Sequence, residues 1–555
     1  MSSGKHSKTE ILIVGGGVGG CAAAMSACAM GLKVIMTEET DWIGGQLTSQ
    51  AVPPDEHSWI EQFGCTTRYR TYRTQVRNYY KDHYPLLPQY RRDPFLNPGY
   101  GFVSRLCHEP RVAHAVLEQM LAFYRAAGYL QIRLRHKAVQ ASADQDRIKS
   151  VKFVHSETKR EEWIEADNVI DATELGDLLP LSGTEYVTGF ESQKDTGEPS
   201  ALPGDPEPGN IQAFTWVLAM GYDKGGNHVI DKPASYDFWK NYIPEVDPPW
   251  GDKLMTWNRP MILNNVRTTE PRYLLQEEAD DPRKGLMNFR RIVHKKYYPE
   301  GMVPNEVTMV IWSQNDYFRK SIIDVSEQEK QAGLDDSRQQ SLSLLYWIQT
   351  EAPRPDGGVG YPGAYPVPEA VGTMDGLAKA PYIREARRIK ALFTVTENHI
   401  AASVRGHKGA EQLPDSVGVG LYHIDLHAST GGNNSIHLDC SPFQIPMGAL
   451  IPIRMENLLA GCKNLGVTHL TNGAFRLHPV EWNVGESAGL LAAYCCKKKT
   501  PPRKVWETET LRKDFQTLCL AHGIELAWPK ILEEDYWGAF DKRVMEKAPF
   551  GAIPR

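Results

Sequence analysis

The chain has 555 residues, and its 62 basic and 68 acidic residues give a net charge of −6. Hydrophobic residues make up 41% and charged residues 23%, which is typical of globular proteins and excludes disorder, collagen and small disulfide scaffolds. A single core rarely exceeds roughly 250–300 residues, so we expect two or more domains. The mild acidity disfavours nucleic-acid partners. Nine cysteines without metal-like or disulfide-like spacing favour a reduced, cytoplasmic protein.

The first predicted unit is a buried parallel strand, a glycine turn and a helix over about residues 19–30. Residues 11–32 are uncharged and long enough to span a membrane, but six of them are glycine, so we predict no membrane segment. The turn fits the pattern G-x-G-x-x-G, in which the glycines allow a tight turn, a close phosphate approach and helix–strand packing. The helix N-terminus would hold the phosphates. The predicted binding residues of this unit are Gly15, Gly17, Val18, Gly19 and Gly20.

A second apolar strand is predicted over residues 32–36, and Glu38 and Glu39 follow it. A carboxylate about 20 residues beyond the glycines accepts the ribose hydroxyls of a bound dinucleotide. We choose Glu38 for this role, with Glu39 as the alternative. An acidic residue at this point disfavours the 2′-phosphate of NADP and leaves NAD and FAD open.

The next residues, 41–48, contain Gly44, Gly45 and Gln46. Here the chain resembles the FAD-dependent oxidoreductases of the glutathione-reductase-like superfamily, in which the acidic residue is followed by such a glycine pair. The resemblance implies that the cofactor is FAD and that this pair and the adjoining Gln46 lie beside its diphosphate and ribityl chain.

Residues 167–183 resemble the segment by which such flavoproteins return to the nucleotide domain. The resemblance places Ala172 and Thr173 near the adenosine and the diphosphate, although the family more often has Thr-Gly where this chain has Thr173-Glu174. Val139 is a candidate backbone contact to adenine, with a plain core valine as the alternative.

Residues 457–496 supply a strand that ends at Gly461 and a helix that we expect to begin near Gly485 and to carry Glu486. Its N-terminus would face the flavin and stabilise negative charge there; simple helix packing is the alternative for Gly485. With residues 381–397, these motifs resemble a branch often called xanthan-lyase-related FAD-dependent oxidoreductases. That resemblance implies the cofactor and the fold but not the reaction.

The predicted fold is α/β, with a Rossmann-like, three-layer FAD-binding domain around a parallel central sheet. We expect this domain to be discontinuous, with an inserted α+β substrate domain and a helical C-terminal tail. Residues 51–104 are rich in Arg and Tyr, and form either a lid or a solvated surface segment. The predicted boundaries are 8–50, 105–185 and 375–500 for the FAD-binding domain, 51–104 for the insertion, 186–374 for the substrate domain and 501–555 for the tail.

FAD supplies redox chemistry, and the protein supplies orientation and proton transfer. A histidine near the flavin is the expected acid or base. The candidates are His423, His427, His469 and His478, of which the last two flank the loop before the predicted flavin-facing helix. Arg384 either forms a salt bridge or binds a substrate carboxylate.

His423, Asp425 and His427 would share one face of a strand. That spacing also suits a metal, but no third imidazole is placed by the sequence, and we predict no metal.

The first functional hypothesis is an FAD-dependent dehydrogenase or oxidase that transfers hydride between a small polar organic substrate and flavin. An oxygen-using monooxygenase or tailoring enzyme is one alternative, and a non-catalytic flavin-binding scaffold is another. No redox-active cysteine pair and no second dinucleotide motif is seen in the sequence. The expected partners are a small-molecule substrate and an electron acceptor, either oxygen or an outside partner. The sequence allows an oligomer as well as a monomer.

Overall fold

The computed structural model describes residues 5–263, 266–271, 273–275 and 285–529. A seven-stranded sheet forms its centre, in the order β3-β2-β1-β6-β5-β4, with β21 also paired to β6. The strands are β1 (Lys5–Val14), β2 (Val34–Glu38), β3 (Leu130–Leu134), β4 (His136–Asp144), β5 (Arg147–His155), β6 (Glu161–Asp171) and β21 (Leu458–Ala460).

The parallel part of this sheet brings together three separate stretches of the chain. β1 lies between β2 and β6, and pairs parallel to both. Ile11–Val14 are at most 2% exposed, so both faces of the strand are covered, which explains their uninterrupted apolar sequence. β21 pairs parallel to the end of β6, whereas β5 pairs antiparallel to its beginning. The predicted Rossmann-like α/β fold with a parallel central sheet is confirmed.

Three helices pack against the parallel strands: α1 (Val18–Ala29), α4 (Pro110–Ala126) and α14 (His478–Lys498). α1 begins and ends within one residue of its predicted bounds, whereas β2 begins two residues later than predicted. α14 begins at His478 rather than near Gly485. No described helix is long and apolar enough to cross a membrane.

The remaining strands form smaller sheets, most of them within the predicted insertion at residues 186–374 and the segment after it. Two sheets have four strands, β11-β10-β19-β18 and β12-β13-β9-β15, and the others are the pairs β14-β8, β16-β7 and β17-β20. Their strands are β7 (Tyr186–Val187), β8 (Phe214–Thr215), β9 (Leu218–Tyr222), β10 (Asn258–Leu263), β11 (Val266–Pro271), β12 (Arg291–Val293), β13 (Val307–Val310), β14 (Asp316–Tyr317), β15 (Ala364–Pro366), β16 (Arg388–Ile389), β17 (Ser416–Gly420), β18 (Ile424–Leu426), β19 (Ile436–Leu438) and β20 (Phe443–Pro446).

The other helices are mostly short, apart from α2, α9 and α16. They are α2 (Thr67–His83), α3 (Pro88–Arg91), α5 (Leu178–Ser182), α6 (Gln193–Thr196), α7 (Tyr236–Asn241), α8 (Leu286–Phe289), α9 (Glu327–Thr350), α10 (Pro368–Val371), α11 (Glu397–Ile400), α12 (Ala402–Arg405), α15 (Pro502–Glu507) and α16 (Glu509–Ala521), with 3₁₀ turns at Gly45–Leu47, Lys295–Tyr297, Gly406–Lys408 and Met447–Leu450. The predicted tail is thus helical where it is described, and residues 530–555 lie outside the described residues.

Helix α2, in the Arg- and Tyr-rich insertion, faces the core instead of the solvent. Tyr69 and Tyr72 are buried and contact Trp482 of α14. Arg73 is buried between Glu56 and Glu61, to which it donates four hydrogen bonds. The basic side chain is thus neutralised within its own segment, and the solvated alternative is wrong for these residues.

Candidate functional site

The turn between β1 and α1 depends on glycine for two different reasons. A Cβ on Gly15, whose φ is +103°, would lie 2.2 Å from the Ala172 carbonyl oxygen, and one on Gly20 would lie 2.0 Å from the Gly15 oxygen. These two glycines are required by packing. A Cβ on Gly17 would meet only the end of the flexible Glu174 side chain, at 2.8 Å. Gly17 therefore keeps the backbone at the α1 N-terminus open.

The end of β2 places Glu38 beside this turn. Its Oε2 accepts a hydrogen bond from the Gly16 N–H at 3.0 Å, and its Oε1 accepts one from the Thr40 N–H at 2.9 Å. Burial raises the pKa of Glu38 above its usual value. Glu39 is exposed, so of the two predicted carboxylates only Glu38 faces the glycine turn.

The glycine pair Gly44 and Gly45 packs directly against the turn between β1 and α1. The Gly44 N–H donates to the Gly16 oxygen at 2.7 Å, and a Cβ on Gly45 would lie 2.9 Å from the Gly17 Cα. The next residue, Gln46, is fully buried and donates from Nε2 to the Arg476 carbonyl oxygen at 2.9 Å. Its Oε1 has no hydrogen-bond partner within the described part of the chain.

An ion cluster that the sequence did not indicate lies at the α1 N-terminus. Lys463 is completely buried, binds Glu174, and lies 3.7 Å from the Glu481 Oε2. Glu481 accepts a hydrogen bond from the Gly19 N–H at 3.2 Å. Burial alone lowers the pKa of Lys463, but the two carboxylates outweigh it and raise that pKa. The cluster thus holds a buried cation at the terminus where anions bind best.

His478 is the first residue of α14 and is completely buried. Its Nδ1 accepts a hydrogen bond from the Asp55 N–H at 3.1 Å. Burial lowers the pKa of His478 to about 3, so the ring is neutral and its proton lies on Nε2. That Nε2 has no hydrogen-bond partner among the residues described. His478 therefore offers an unused N–H donor beside the segment that follows the glycine pair.

The other histidine of the closing segment, His469, is held by its surroundings. Its Nδ1 lies 3.0 Å from the Glu191 Oε2, and its ring stacks on Phe190 with the centroids 4.0 Å apart. Glu191 also binds Arg388 at 2.8 Å, and Arg388 binds Glu385 at 2.6 Å. The arrangement favours the structural role for His469.

A second polar cluster surrounds Asp425 on β18. The Asp425 Oδ2 lies 3.0 Å from the Arg476 Nη2 and 3.4 Å from the His427 Nε2. The neighbouring strand β19 places His437 directly opposite Asp425, with its Nδ1 3.0 Å from the Asp425 Oδ1. His423 Nε2 lies 3.7 Å from the same oxygen. The sequence indicated His423 and His427 but not His437, because the pairing of β18 with β19 brings it into place.

Asp316 joins this cluster to Arg384. Its Oδ2 lies 2.6 Å from the His427 Nδ1, and its Oδ1 lies 3.0 Å from the Arg384 Nη2. Burial by itself raises the pKa of Asp316, but Arg384 and His427 outweigh it and hold that pKa below its usual value. Arg384 is thus committed to a salt bridge, and it is 1% exposed, so the structure favours the salt-bridge alternative over a substrate carboxylate.

The two clusters are neighbours because Arg476 belongs to both. Its carbonyl oxygen accepts from Gln46, next to the second glycine pair, and its guanidinium donates to Asp425. The Arg476 Nη1 also donates to the Tyr382 hydroxyl at 2.5 Å. A polar site therefore adjoins the glycine turns.

The sequence profile of a family described as FAD dependent oxidoreductase matches residues 10–516. The chain belongs to this family. It is an FAD-dependent oxidoreductase, and FAD is its cofactor. A comparison with curated protein sequences gives no match.

Several solved structures are similar to the chain. L-Proline dehydrogenase from P. horikoshii is 16% identical over 35% of this chain and 26% of that chain, with a TM-score of 0.18. Glycerol-3-phosphate dehydrogenase from Bacillus halodurans, complexed with FAD, is 13% identical over 39% and 40%, with a TM-score of 0.23. The anhydrotetracycline hydroxylase OxyS from Streptomyces rimosus is 11% identical over 93% and 68%, with a TM-score of 0.33. The matches span less than half of either dehydrogenase, and TM-scores this low say nothing about the reaction.

The residues at the glycine turns fit FAD. A Cβ on Gly17 or Gly45 would meet the Glu174 carboxylate, at 2.8 and 2.6 Å, so the end of this flexible side chain has to turn aside for a diphosphate to reach the α1 N-terminus. Lys463, which now binds Glu174, then supplies a cation, and Gln46 has a buried oxygen without a partner among the described residues. Glu481 now accepts one of the helix N–H groups, and burial raises its pKa. Lys463 lies 3.7 Å from the Glu481 carboxylate and offsets part of its charge beside the diphosphate site.

Other predicted cofactor residues lie at the ends of the parallel strands. The Ala172 N–H donates to the Val14 oxygen at 2.7 Å, and the Gly461 N–H donates to the Asp171 oxygen at 2.8 Å. Thr173 binds Asp171 through both its N–H and its hydroxyl. Val18 is buried in the first turn of α1. Their contacts with FAD stay predictions.

Two predicted residues lie elsewhere than expected, and for a third, Val139, only the core-valine alternative is wrong while its contact with adenine stays a prediction. A Cβ on Gly485 would lie 2.0 Å from the Gly19 oxygen, so this glycine allows α14 to pack against α1, as the packing alternative holds. Glu486 accepts hydrogen bonds from Thr66, Arg68 and Trp482, so it faces α2. Val139 is 39% exposed at an irregularity of β4 and is not a core valine. The predicted helix start near Gly485 is wrong, because α14 begins two turns earlier.

Proposed function

We propose that this FAD-dependent oxidoreductase is a dehydrogenase or oxidase that transfers hydride between a small polar organic substrate and flavin. FAD, when bound, supplies the site that exchanges hydride. Buried charged and hydroxyl groups beside the glycine turns support a polar, oxygenated substrate: Asp55, Arg290, Tyr382, Asp425 and Arg476.

One observation carries the proposal: the buried, neutral His478 has a proton on Nε2 and makes no well-aligned hydrogen bond with it within the described part of the chain, although the Val52 backbone lies near enough to raise its pKa. The Asp55 N–H fixes this tautomer by occupying Nδ1. A buried N–H donor without an acceptor costs free energy, which is tolerated where a ligand supplies the acceptor. We assign this N–H the role of donating a hydrogen bond to a substrate oxygen and so orienting the carbon that exchanges hydride. The proton that leaves with the hydride is taken by a separate acceptor, because the Asp55 N–H occupies the other ring nitrogen.

The test is anaerobic reduction of the FAD-loaded protein by a panel of small alcohols, hydroxy acids, amines and amino acids. We expect one class to bleach the flavin absorbance. Replacing His478→Ala should then slow bleaching by about 10²–10³-fold with FAD still bound, because one preorganised donor is lost. His155→Ala, at the end of β5, is the matched control and should reduce at the wild-type rate.

Two outcomes would contradict the proposal separately. If no compound of the panel bleaches bound FAD, substrate oxidation is wrong; if H478A is reduced at the wild-type rate, the role of His478 is wrong. The electron acceptor is tested under air, where peroxide release indicates an oxidase. Incorporation of an oxygen atom from O₂ into the product would instead indicate the monooxygenase alternative.

A further inference from the structure

The cluster around Asp425 has a second feature, which the proposed function does not use. The two oxygens of this carboxylate face different partners: Oδ2 faces Arg476 and His427, whereas Oδ1 faces the imidazoles of His423 and His437. Oδ1 is buried and accepts no well-aligned hydrogen bond from the described residues. One carboxylate oxygen and two imidazole nitrogens therefore converge on one point.

The spacing of these three atoms suits a metal ion. One ligand atom each of His423, Asp425 and His437 lies within 4.8 Å of the other two. Ligands about 2.0–2.1 Å from a Zn²⁺-sized ion lie roughly 3.0–3.4 Å apart in tetrahedral or octahedral arrangements. The observed separations from the Asp425 Oδ1 are 3.0 Å to His437 and 3.7 Å to His423, and the two imidazole nitrogens lie within 4.8 Å of each other, so an ion would draw the imidazoles inward to complete the geometry.

Strand pairing and a salt bridge hold two of the three ligand side chains in place. Asp425 and His437 are a direct cross-strand pair of β18 and β19, and Asp425 is further held by Arg476 through its other oxygen. The three side chains are 12–13% exposed. This exposure gives an ion a route from solvent and leaves a coordination position for water or another ligand.

We propose that His423, Asp425 and His437 form a binding site for a divalent first-row transition-metal ion of the Zn²⁺ or Fe²⁺ type. Two imidazoles and one carboxylate match the ligand preferences of these ions, whereas Ca²⁺ and Mg²⁺ prefer oxygen ligands throughout. The sequence predicted no metal because it placed no further imidazole beside His423, Asp425 and His427. The proposal departs from that prediction because the neighbouring strand β19 supplies His437.

The experiment is equilibrium dialysis of the untagged, FAD-loaded full chain against Zn²⁺ after treatment with a chelator, with bound metal measured by atomic emission. We expect about one tightly bound Zn²⁺ per chain. His423→Gln and His437→Gln should each weaken binding at least tenfold. The matched control is His228→Gln, because His228 is in another His–Asp pair, 3.1 Å from Asp223, on the surface. It should keep the wild-type stoichiometry.

A wild-type protein that binds no Zn²⁺ at micromolar free concentration would overturn the site, and so would undiminished binding by both histidine variants. The first of these results needs no variant, so a folding defect in H423Q or H437Q leaves the test intact. Flavin content and circular dichroism identify such a defect. Failure of the metal site is distinguishable from failure of the proposed function, because the dialysis involves no substrate.

Discussion

A substitution at Gly17 should affect FAD binding without affecting folding, unlike substitutions at the other glycines of its turn. A Cβ there meets only the Glu174 carboxylate, whereas one on Gly15 or Gly20 meets backbone atoms. We expect Gly17→Val to fold and to lose FAD, because its side chain would occupy the space of the diphosphate. Released flavin, measured by fluorescence after heating, checks the loss.

Gly204 provides the matched control for this prediction, since it is exposed and a Cβ there meets no atom within 4 Å. Gly204→Val should retain the flavin. A yellow G17V protein with wild-type FAD content would place the diphosphate elsewhere.

Asp171 gives a prediction about pH. Burial raises the pKa of this carboxyl to about 7, although Thr173 donates two hydrogen bonds to its Oδ1. The folded chain then keeps a proton between about pH 4 and pH 7 that the unfolded chain releases, so the contribution of Asp171 to stability falls as the pH rises through this range. Asp171→Asn removes this loss and retains the oxygen that Thr173 binds.

We therefore expect D171N to raise the thermal unfolding temperature at pH 8 and to change it little at pH 4. Parallel melts of wild type and variant across this range measure the difference. An equal shift at both ends would show that Asp171 does not titrate in this window.

At the scale of elements, the contact between α1 and α14 depends on small residues at the interface. A Cβ on Gly485 would lie 2.0 Å from the Gly19 oxygen, and one on Gly489 would lie 2.3 Å from the Ala23 oxygen. Gly485→Ala should lower the free energy of unfolding by about 1–3 kcal/mol, because the backbones must separate. Chemical denaturation measures this change.

Lys497→Ala, at an exposed position on the same helix, controls for side-chain effects away from the contact. It should leave the unfolding curve unchanged. Equal stability of G485A and wild type would mean that the two helices can move apart without cost.

Local sequence patterns predicted the helices and strands better than they predicted the contacts between them. The apolar strand before Gly15 and the alanine-rich helix after it follow from neighbouring residues, and the helix was predicted within one residue of each of its ends. The partners of Lys463 and His437 come from elements that meet only in three dimensions. Arg73 was predicted in a surface or lid segment because the sequence does not show that Glu56 and Glu61 would enclose it.

At the scale of the whole molecule, the residues predicted to contact FAD come from segments that are distant in sequence, so we expect its binding to stabilise the entire fold. A ligand at 100 times its dissociation constant stabilises the folded state by about 2.7 kcal/mol. We expect added FAD to raise the thermal unfolding temperature of flavin-free protein by a few degrees, in proportion to the logarithm of its concentration. Differential scanning fluorimetry measures this shift with a dye whose emission is distinct from that of flavin. FMN, which lacks the adenosine, is the control and should act more weakly.

The position of β21 beside β6 sets the order of events while the protein is being made. β1 leaves the ribosome early, but the strand that completes the same sheet edge begins 458 − 14 = 444 residues after Val14. At about 5–20 residues per second, translation of that interval takes roughly 20–90 s. During this interval, the glycine- and alanine-rich face of α1 lacks its packing partner α14. We therefore expect flavin loading to be a late event in biogenesis, because a nascent chain stalled before residue 458 has the glycine turn but lacks α14, which packs against α1.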